Sequence, residues 1–251
     1  MLPHDEAGSG PAIVLLHAGV ADRSIWAEHL RPLAGGGFRV VAPDLPGFGE
    51  APVAQDEEAP WVDVLRTMDE LSIDRAALVG NSFGADVALR AALVAPGRVS
   101  ALVLCAARAP GIEPSPELTA VWEAEETAYE RGDVAAAVDA VVAGWTLPDA
   151  SDALRERVAA MQRRAYELQA GESTAVEAPD PLDERPDDLA RLDVPTLAAV
   201  GEHDKPDFHE AAELLARTLP RGRHAVIDRA GHLPPLETPE AFRELVLGFL
   251  R

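Results

Sequence analysis

Six short apolar runs divide the chain, and stretches with helical spacing of apolar residues separate them. None of the runs alternates cleanly between apolar and polar residues, which is typical of strands buried on both faces of a parallel sheet. The runs cover residues 12–16, 38–42, 76–79, 99–104, 196–200 and 224–227, and the predicted helices cover residues 26–33, 61–71, 84–95, 207–219 and 239–250. This alternation predicts an α/β fold with a doubly wound, predominantly parallel sheet of about six strands.

The pattern changes between residues 106 and 194, where the sequence contains no convincing strand. Three helices are predicted there instead, and we interpret residues 171–188, rich in Glu, Asp and Pro, as an exposed return loop. The helices follow the capping residues Ser115, Asp133 and Ser151 or Asp152, and Gly171 ends the third. We predict an α/β core of residues 1–105 and 195–251, with residues 106–194 inserted before the fifth strand as a helical lid over the carboxyl edge of the sheet.

The third apolar run leads into Gly80-Asn81-Ser82-Phe83-Gly84, and a helical pattern follows it. A strand that turns sharply into a helix with a serine at the turn exposes the hydroxyl at the carboxyl edge of the sheet. Gly80 and Gly84 have no Cβ, so the strand and the helix can approach closely. We therefore predict that Ser82 is a nucleophile.

A serine hydroxyl is a poor nucleophile at neutral pH, so it needs a histidine base and a carboxylate that orients the histidine. Asp204 follows the fifth apolar run and His232 follows the sixth, so both lie just beyond the carboxyl ends of predicted strands. The sequence predicts a triad of Ser82, Asp204 and His232. Glu202 and Asp207 lie close enough to Asp204 to compete for its role.

The charge that develops on a reacting carbonyl oxygen needs backbone N–H donors near the nucleophile. The amide of Phe83, at the start of the helix after Ser82, is one predicted donor. The loop after the first strand contains small residues and provides the second, from Gly19 or Val20. We expect His17 to brace this loop by hydrogen bonding and to take no part in the chemistry.

Five segments follow one another along the chain: Leu15-Leu16-His17-Ala18-Gly19 with Trp26 downstream, Pro43-Asp44-Leu45-Pro46-Gly47-Phe48-Gly49, Gly80-Asn81-Ser82-Phe83-Gly84, Gly201-Glu202-His203-Asp204 and Gly231-His232-Leu233-Pro234. Together and in this order, they resemble the α/β-hydrolase fold superfamily, in particular its lid-bearing serine esterase and lactonase branch. That branch includes enol-lactonases, carboxylesterases and cofactor-free perhydrolases, whereas the superfamily's dehalogenases and epoxide hydrolases place an aspartate where Ser82 stands.

The resemblance also draws attention to the N-terminal edge of the sheet. Members of the superfamily usually carry a β-hairpin before the first parallel strand, but only eleven residues precede Ala12 here. We therefore expect six parallel strands and no antiparallel strand. Numbered along the chain, the six strands should lie across the sheet in the order 2-1-3-4-5-6. Residues 38–42 would then form an open edge, and an open apolar edge suggests a homodimer as the alternative to a monomer.

Composition narrows the classes of partner. The 251 residues carry a formal net charge of −21, which repels nucleic acid and anionic membrane surfaces. The first residues have neither a basic region nor an apolar core, and no apolar run reaches membrane-spanning length, so we expect a cytoplasmic protein. Cys105 is the single cysteine and lies in an apolar run, which predicts a buried residue rather than a reactive thiol.

The predicted lid contains aromatic residues that can contact a substrate. Trp145, beside a helix end, is the first candidate, and Trp122 is the second. These residues favour a small hydrophobic ester or lactone as the substrate and require no cofactor. A metal site from His203, Asp204, Asp207 and His209 is disfavoured because the helix carries His209 outward.

Three functions remain open at this point. The first is a serine hydrolase that cleaves a carboxylic ester or lactone through an acyl-enzyme. The second uses the same triad to cleave carbon–carbon bonds in diketones or to form peracids. The third is a ligand-binding receptor on the same fold, because fold alone does not dictate turnover.

Overall fold

A computed structural model describes residues 1–170 and 174–251, and its central sheet confirms the predicted α/β architecture. The strands are β1 (His4–Gly8), β2 (Ala12–Leu16), β3 (Arg39–Pro43), β4 (Glu57–Glu58), β5 (Ala76–Asn81), β6 (Val99–Cys105), β7 (Val176–Glu177), β8 (Thr196–Gly201) and β9 (Gly222–Ile227). The central sheet is mostly parallel and has the strand order β1-β3-β2-β5-β6-β8-β9, while β4 and β7 pair as a separate parallel ribbon.

The prediction of a sheet without an antiparallel strand is wrong. Strand β1 pairs antiparallel with β3, from His4 opposite Pro43 to Gly8 opposite Arg39. Its sequence is polar and its side chains are mostly exposed, because an edge strand is held by backbone hydrogen bonds and needs no apolar run. Strand β3 is therefore covered on that side, and the homodimer predicted from an open edge at residues 38–42 loses its basis.

Helices lie between the strands close to the predicted places. Three 3₁₀ turns, Arg23–Trp26, Pro96–Arg98 and Pro186–Arg191, complete the elements. The helices are α1 (Ala27–Gly35), α2 (Pro60–Glu70), α3 (Phe83–Val94), α4 (Pro116–Glu130), α5 (Val134–Trp145), α6 (Asp152–Gln169), α7 (Pro181–Glu184), α8 (Pro206–Thr218), α9 (Pro234–Glu237) and α10 (Pro239–Leu250).

The three helices α4, α5 and α6, which lie between β6 and β7, begin at the predicted capping residues. The side chain of Ser115 accepts a hydrogen bond from the Leu118 N–H, and Asp133 and Ser151 cap α5 and α6 in the same way. Each cap satisfies one of the backbone donors that a helix N-terminus leaves unpaired. The predicted end of the third helix at Gly171 lies outside the described residues.

The stretch predicted as an exposed return loop is more structured than expected. Within its described part, β7 pairs with β4, and the short helix α7 buries Pro181 and Leu182. The few apolar residues of this stretch stand among many acidic ones and show no periodicity, so the sequence pattern offered no signal for these elements.

One histidine of the core gives the protein a pH-dependent stability. His29 on α1 is fully buried beside Trp26 and Phe242, and its Nε2 lies 2.8 Å from the carbonyl oxygen of Pro235. Because that oxygen can only accept, Nε2 carries the hydrogen and donates it. Burial lowers the pKa of His29 to about 4, since the charged ring would lose its hydration.

We expect acid to destabilise the fold through His29. Its pKa is lower in the folded chain than in the unfolded chain, so its contribution is complete above about pH 6.5 and is lost as the pH falls towards 4. Between pH 7 and pH 5 the loss amounts to about 2 kcal/mol. Urea unfolding at both pH values checks this. The difference between the unfolding free energies at pH 7 and at pH 5 should be smaller by about 2 kcal/mol in His29→Gln than in the wild type. It should stay unchanged in His224→Gln, the control at an exposed histidine.

Candidate active site

The turn after β5 has the strained geometry that its sequence predicts. Ser82 adopts φ 52° and ψ −119°, an unfavourable region for a residue with a Cβ, and helix α3 begins at the next residue. The Ser82 N–H donates to the carbonyl of Cys105, 2.8 Å away, which ties the turn to the neighbouring strand β6. The serine therefore stands at the carboxyl edge of the sheet, where the turn presents its hydroxyl.

Gly84 is required at this turn by close contact with strand β2. A Cβ built on Gly84 would overlap the backbone carbonyl of Leu16 and approach that of His17. A backbone contact of this kind cannot be relieved by rotating a side chain.

We expect Gly84→Ala to destabilise the fold by about 3 kcal/mol, because the helix or the strand must shift. Gly248→Ala on α10 is the matched control: its Cβ would meet nothing within 4 Å. The control should be neutral or more stable by up to about 1 kcal/mol. Urea unfolding of both variants measures the difference, and equal stability of the two would contradict the proposed steric role.

The three residues predicted as a triad lie in one hydrogen-bonded series. His232 Nε2 is 2.9 Å from Ser82 Oγ, and His232 Nδ1 is 2.9 Å from Asp204 Oδ2. The side chains of Asp204 and His232 are 0% and 3% exposed, so bulk water does not come between the carboxylate and the imidazole. A carboxylate can only accept, so we assign the imidazole hydrogen to Nδ1, which leaves Nε2 free to accept from the serine hydroxyl.

Two side chains that the sequence analysis missed hold the His232 loop. Glu237 Oε2 accepts hydrogen bonds from the N–H groups of Gly231 at 2.7 Å and Leu233 at 3.1 Å, on either side of the histidine. Asn81 Nδ2 donates to the carbonyl of His232 at 3.0 Å. Burial raises the pKa of Glu237. The loop is thereby fixed from two elements.

The predicted oxyanion donors lie at the same place. Gly19, Val20 and Phe83 line one cavity with Ser82 and His232. Within the described part of the chain, the backbone N–H groups of these three residues have no hydrogen-bond acceptor. Such unpaired donors beside the Ser82 hydroxyl are suited to a developing negative charge.

His17 braces the donor loop, as predicted. Its Nε2 accepts the Leu45 N–H at 2.9 Å, so the hydrogen of the neutral ring is on Nδ1, which donates to the Ala18 carbonyl at 2.8 Å. Burial lowers the pKa of His17, and the neutral form is the one that both bonds require. The ring links this loop to the segment after β3.

The cavity above Ser82 has a volume of about 270 Å³ and is walled by aromatic rings. Trp122 and Trp145, both predicted as substrate contacts, lie in its lining. Phe208, which the sequence analysis missed, packs on His232 with 4.4 Å between ring centres, and Trp145 packs on the same imidazole at 4.4 Å. The His232 imidazole is thus held between rings from α5 and α8.

A second cavity of about 300 Å³ adjoins the first and is lined by both apolar and charged residues. The two share Arg108, Trp122 and Phe208 as lining residues. Leu118 lines the second cavity from the same face of α4 as Trp122, four residues away. Neither cavity alone exceeds the ~300 Å³ lower end of the range for ligand sites, but together they lie well within it.

Asp86 does more than place a negative charge at a helix N-terminus. Its buried carboxylate accepts from the backbone N–H of Arg108 at 2.9 Å and from its Nε at 2.8 Å. The proximity of Asp86 raises the pKa of Arg108. The pair fixes the segment after β6 at the junction of the two cavities.

Among the described residues, no group of three or more His, Cys, Asp or Glu side chains is arranged to hold a metal ion. Asp207, one candidate ligand, instead accepts hydrogen bonds from the N–H and hydroxyl of Ser115. Cys105 is fully buried, and burial raises the pKa of its thiol well above the ordinary value. No helix in the part of the chain that the structure describes has the length and apolarity needed to cross a membrane.

The order of the strands, the turn at Ser82 and the neighbouring histidine and carboxylate define a class of protein. The family model described as "Alpha/beta hydrolase family" matches residues 13–245. The chain therefore belongs to the alpha/beta hydrolase family and is a hydrolase.

Individual relatives of known name cover nearly all of the chain. A 2-hydroxymuconate semialdehyde hydrolase of Pseudomonas sp. (strain CF600) is 31% identical over 98% of this chain and 89% of its own length. A thermophilic esterase from Thermogutta terrifontis has a TM-score of 0.80 at 29% identity, covering 100% of this chain and 93% of its own. The enol-lactonase from Burkholderia xenovorans LB400 has a TM-score of 0.81 at 26% identity, covering 99% and 96%.

Proposed function

We propose that the protein is a serine hydrolase that cleaves a carboxylic ester or a lactone through an acyl-enzyme. The observation that carries this proposal is the series Ser82–His232–Asp204, with 2.9 Å between Ser82 Oγ and His232 Nε2 and 2.9 Å between His232 Nδ1 and Asp204 Oδ2. The Ser82 hydroxyl has an adjacent base, the His232 imidazole, and a carboxylate that orients this imidazole, which are the two requirements of an activated serine.

The proposed reaction begins when Ser82 Oγ attacks the carbonyl carbon and His232 Nε2 takes its proton. Asp204 stabilises the imidazolium without taking a proton itself. The N–H groups of Phe83 and of Gly19 or Val20 bind the oxyanion. His232 then protonates the leaving alkoxide, and the carbonyl re-forms as the acyl-enzyme. Attack by water, with His232 again as the base, releases the acid and restores Ser82.

We propose that helices α4, α5 and α6 act as a lid over this site. Trp122 on α4 and Trp145 on α5 contribute to the lining around Ser82 and would exclude water from the oxyanion. The apolar residues in the lining of the second cavity, among them Leu118 and Phe208, support a substrate with a hydrophobic arm, since each methylene buried against them contributes about 0.8 kcal/mol. The esterase and enol-lactonase likenesses favour the same reaction class.

A substrate panel tests the proposal. Aryl esters of increasing acyl length, a γ-lactone, an enol lactone, a vinylogous diketone and halide with peroxide are assayed side by side, with Ser82→Ala as the blank. We expect turnover of esters or lactones that depends on Ser82. Turnover confined to the diketone or to peracid formation would overturn the ester and lactone assignment.

Carbon–carbon bond cleavage is the second candidate. It is favoured by the relative named 2-hydroxymuconate semialdehyde hydrolase, because a semialdehyde contains no ester bond to hydrolyse. The same panel separates the two candidates. Labelling of Ser82 by a fluorophosphonate without repeated turnover of any substrate would instead support a ligand-binding protein.

A further inference from the structure

Lys205 follows Asp204 directly and joins its loop to the inserted helix α5. Its backbone N–H donates to Asp204 Oδ1 at 2.8 Å, and its Nζ donates to the carbonyl of Gly144 at 2.6 Å. Gly144 belongs to the last turn of α5, where carbonyl groups have no partner within the helix. The single lysine of the sequence therefore satisfies the end of a helix that comes from a distant part of the chain.

The same ammonium group also contacts the aromatic wall of the site. Lys205 Nζ lies 4.4 Å from the ring centre of Trp145, a distance at which the ring attracts a cation. Trp145 follows Gly144 in the chain, and its ring centre is 4.4 Å from that of His232. Any shift of Gly144 therefore moves the ring that packs on the proposed base.

The charges around Lys205 indicate how its removal would change the site. Burial lowers the pKa of Lys205, and the surrounding carboxylates oppose that effect. The positive charge of the ammonium faces four carboxylates: Asp204 on its own loop, Asp207 on α8, Glu117 on α4 and Glu237 on α9. The imidazoles of His203 and His232 line the cavity beside Lys205.

We infer that Lys205 is a positioning residue for the reaction proposed above. It fixes the C-terminal end of α5, so that Trp145 stays against His232 and completes the wall of the catalytic cavity. It acts through Gly144, through Trp145 and through the positive charge that it holds beside the Asp204 loop, and it touches none of the reacting atoms. The inference rests on the proposed function for its kinetic consequence, while the placement of α5 can be measured independently.

Lys205→Met keeps the length of the side chain and removes the ammonium. We expect kcat/KM for an aryl ester to fall about tenfold, with a rise in KM, because a charged hydrogen bond to Gly144 is lost. The acid limb of the kcat/KM profile should move to higher pH, because the remaining carboxylates favour a protonated base. Lys205→Arg, which can donate to the same carbonyl and stack on Trp145, should restore most of the activity and the original profile.

Arg155→Met is the matched control within the insertion. Arg155 donates to the carbonyls of Leu147, Pro148 and Ala150 and has no hydrogen bond to the Asp204 loop among the described residues. It should leave the acid limb in place. Equal losses in Lys205→Met and Lys205→Arg, or an unmoved acid limb in Lys205→Met, would overturn the inference.

Hydrogen exchange of residues 142–148 gives a readout that needs no turnover. We expect faster exchange there in Lys205→Met than in the wild type and in Lys205→Arg. Unchanged exchange in Lys205→Met overturns the inference even if the protein is an esterase. If the wild type hydrolyses no ester or lactone but exchange rises as expected, the proposed function fails and the placement of α5 by Lys205 stands.

Discussion

Replacing Ser82 with alanine should reduce kcat for an aryl ester by roughly 10⁵-fold or more, with the fold intact. The substitution removes the nucleophile, and no other hydroxyl is hydrogen-bonded to His232 within the described residues. Residual activity above that of water is expected, because the backbone donors at Phe83 and the Gly19 loop remain.

Steady-state assays, corrected with blanks that contain no protein, measure this effect. Ser100→Ala on β6 is the matched control. Ser100 is half-buried near the amino end of β6, opposite the end at which Ser82 stands, so its replacement should leave kcat within about twofold. Undiminished turnover in Ser82→Ala would remove the serine from the mechanism.

Asp204→Asn is expected to lower kcat by about 10⁴-fold while leaving the site's shape nearly unchanged. The amide can donate to His232 Nδ1, and the imidazole hydrogen then moves to Nε2, the atom that must accept from Ser82. Asparagine also lacks the negative charge that stabilises the imidazolium. Asp204 is 0% exposed at its side chain, so water cannot replace that charge.

Glu202→Gln is the control for Asp204, because the sequence left Glu202 as a competitor for the same role. The Glu202 carboxylate accepts a hydrogen bond from the Arg229 N–H and lies 3.8 Å from Nε2 of His203; among the described residues it has no hydrogen bond to His232. We expect kcat within about twofold of the wild type, as for other exposed substitutions. Loss of activity in Glu202→Gln with retained activity in Asp204→Asn would reverse the assignment.

The parallel part of the sheet could be predicted because its signal is local. Buried strands such as β5 require continuous apolar residues, so their positions and alternation with helices are visible in the sequence. The turn at Ser82 was visible for a related reason: Gly84 must lack a Cβ where α3 meets β2. Capping residues, which act within one helical turn, likewise located the starts of α4, α5 and α6.

Features that depend on a partner distant in the chain could not be predicted. Strand β1 is polar and exists through its backbone pairing with β3, so its side chains give no pattern. Phe208 and Glu237 reach His232 and its neighbours only after the strands have brought the loops together. Lys205 resembles any exposed loop lysine until α5 places Gly144 beside it. Specificity at the two cavities could not be predicted for the same reason, since it depends on how helices α4, α5 and α6 pack over the sheet.

In the proposed mechanism an acyl group is transferred to Ser82 Oγ, and trypsin releases a short peptide that contains this serine. Cleavage after Arg75 and Arg90 gives peptide 76–90, in which Ser82 is the one hydroxyl side chain. The protein is mixed with p-nitrophenyl butyrate, quenched in acid within the first turnover, digested and analysed by mass spectrometry. We predict a butyryl increment on peptide 76–90 that is missing in Ser82→Ala; an increment on another peptide, or one that persists in Ser82→Ala, would contradict the mechanism.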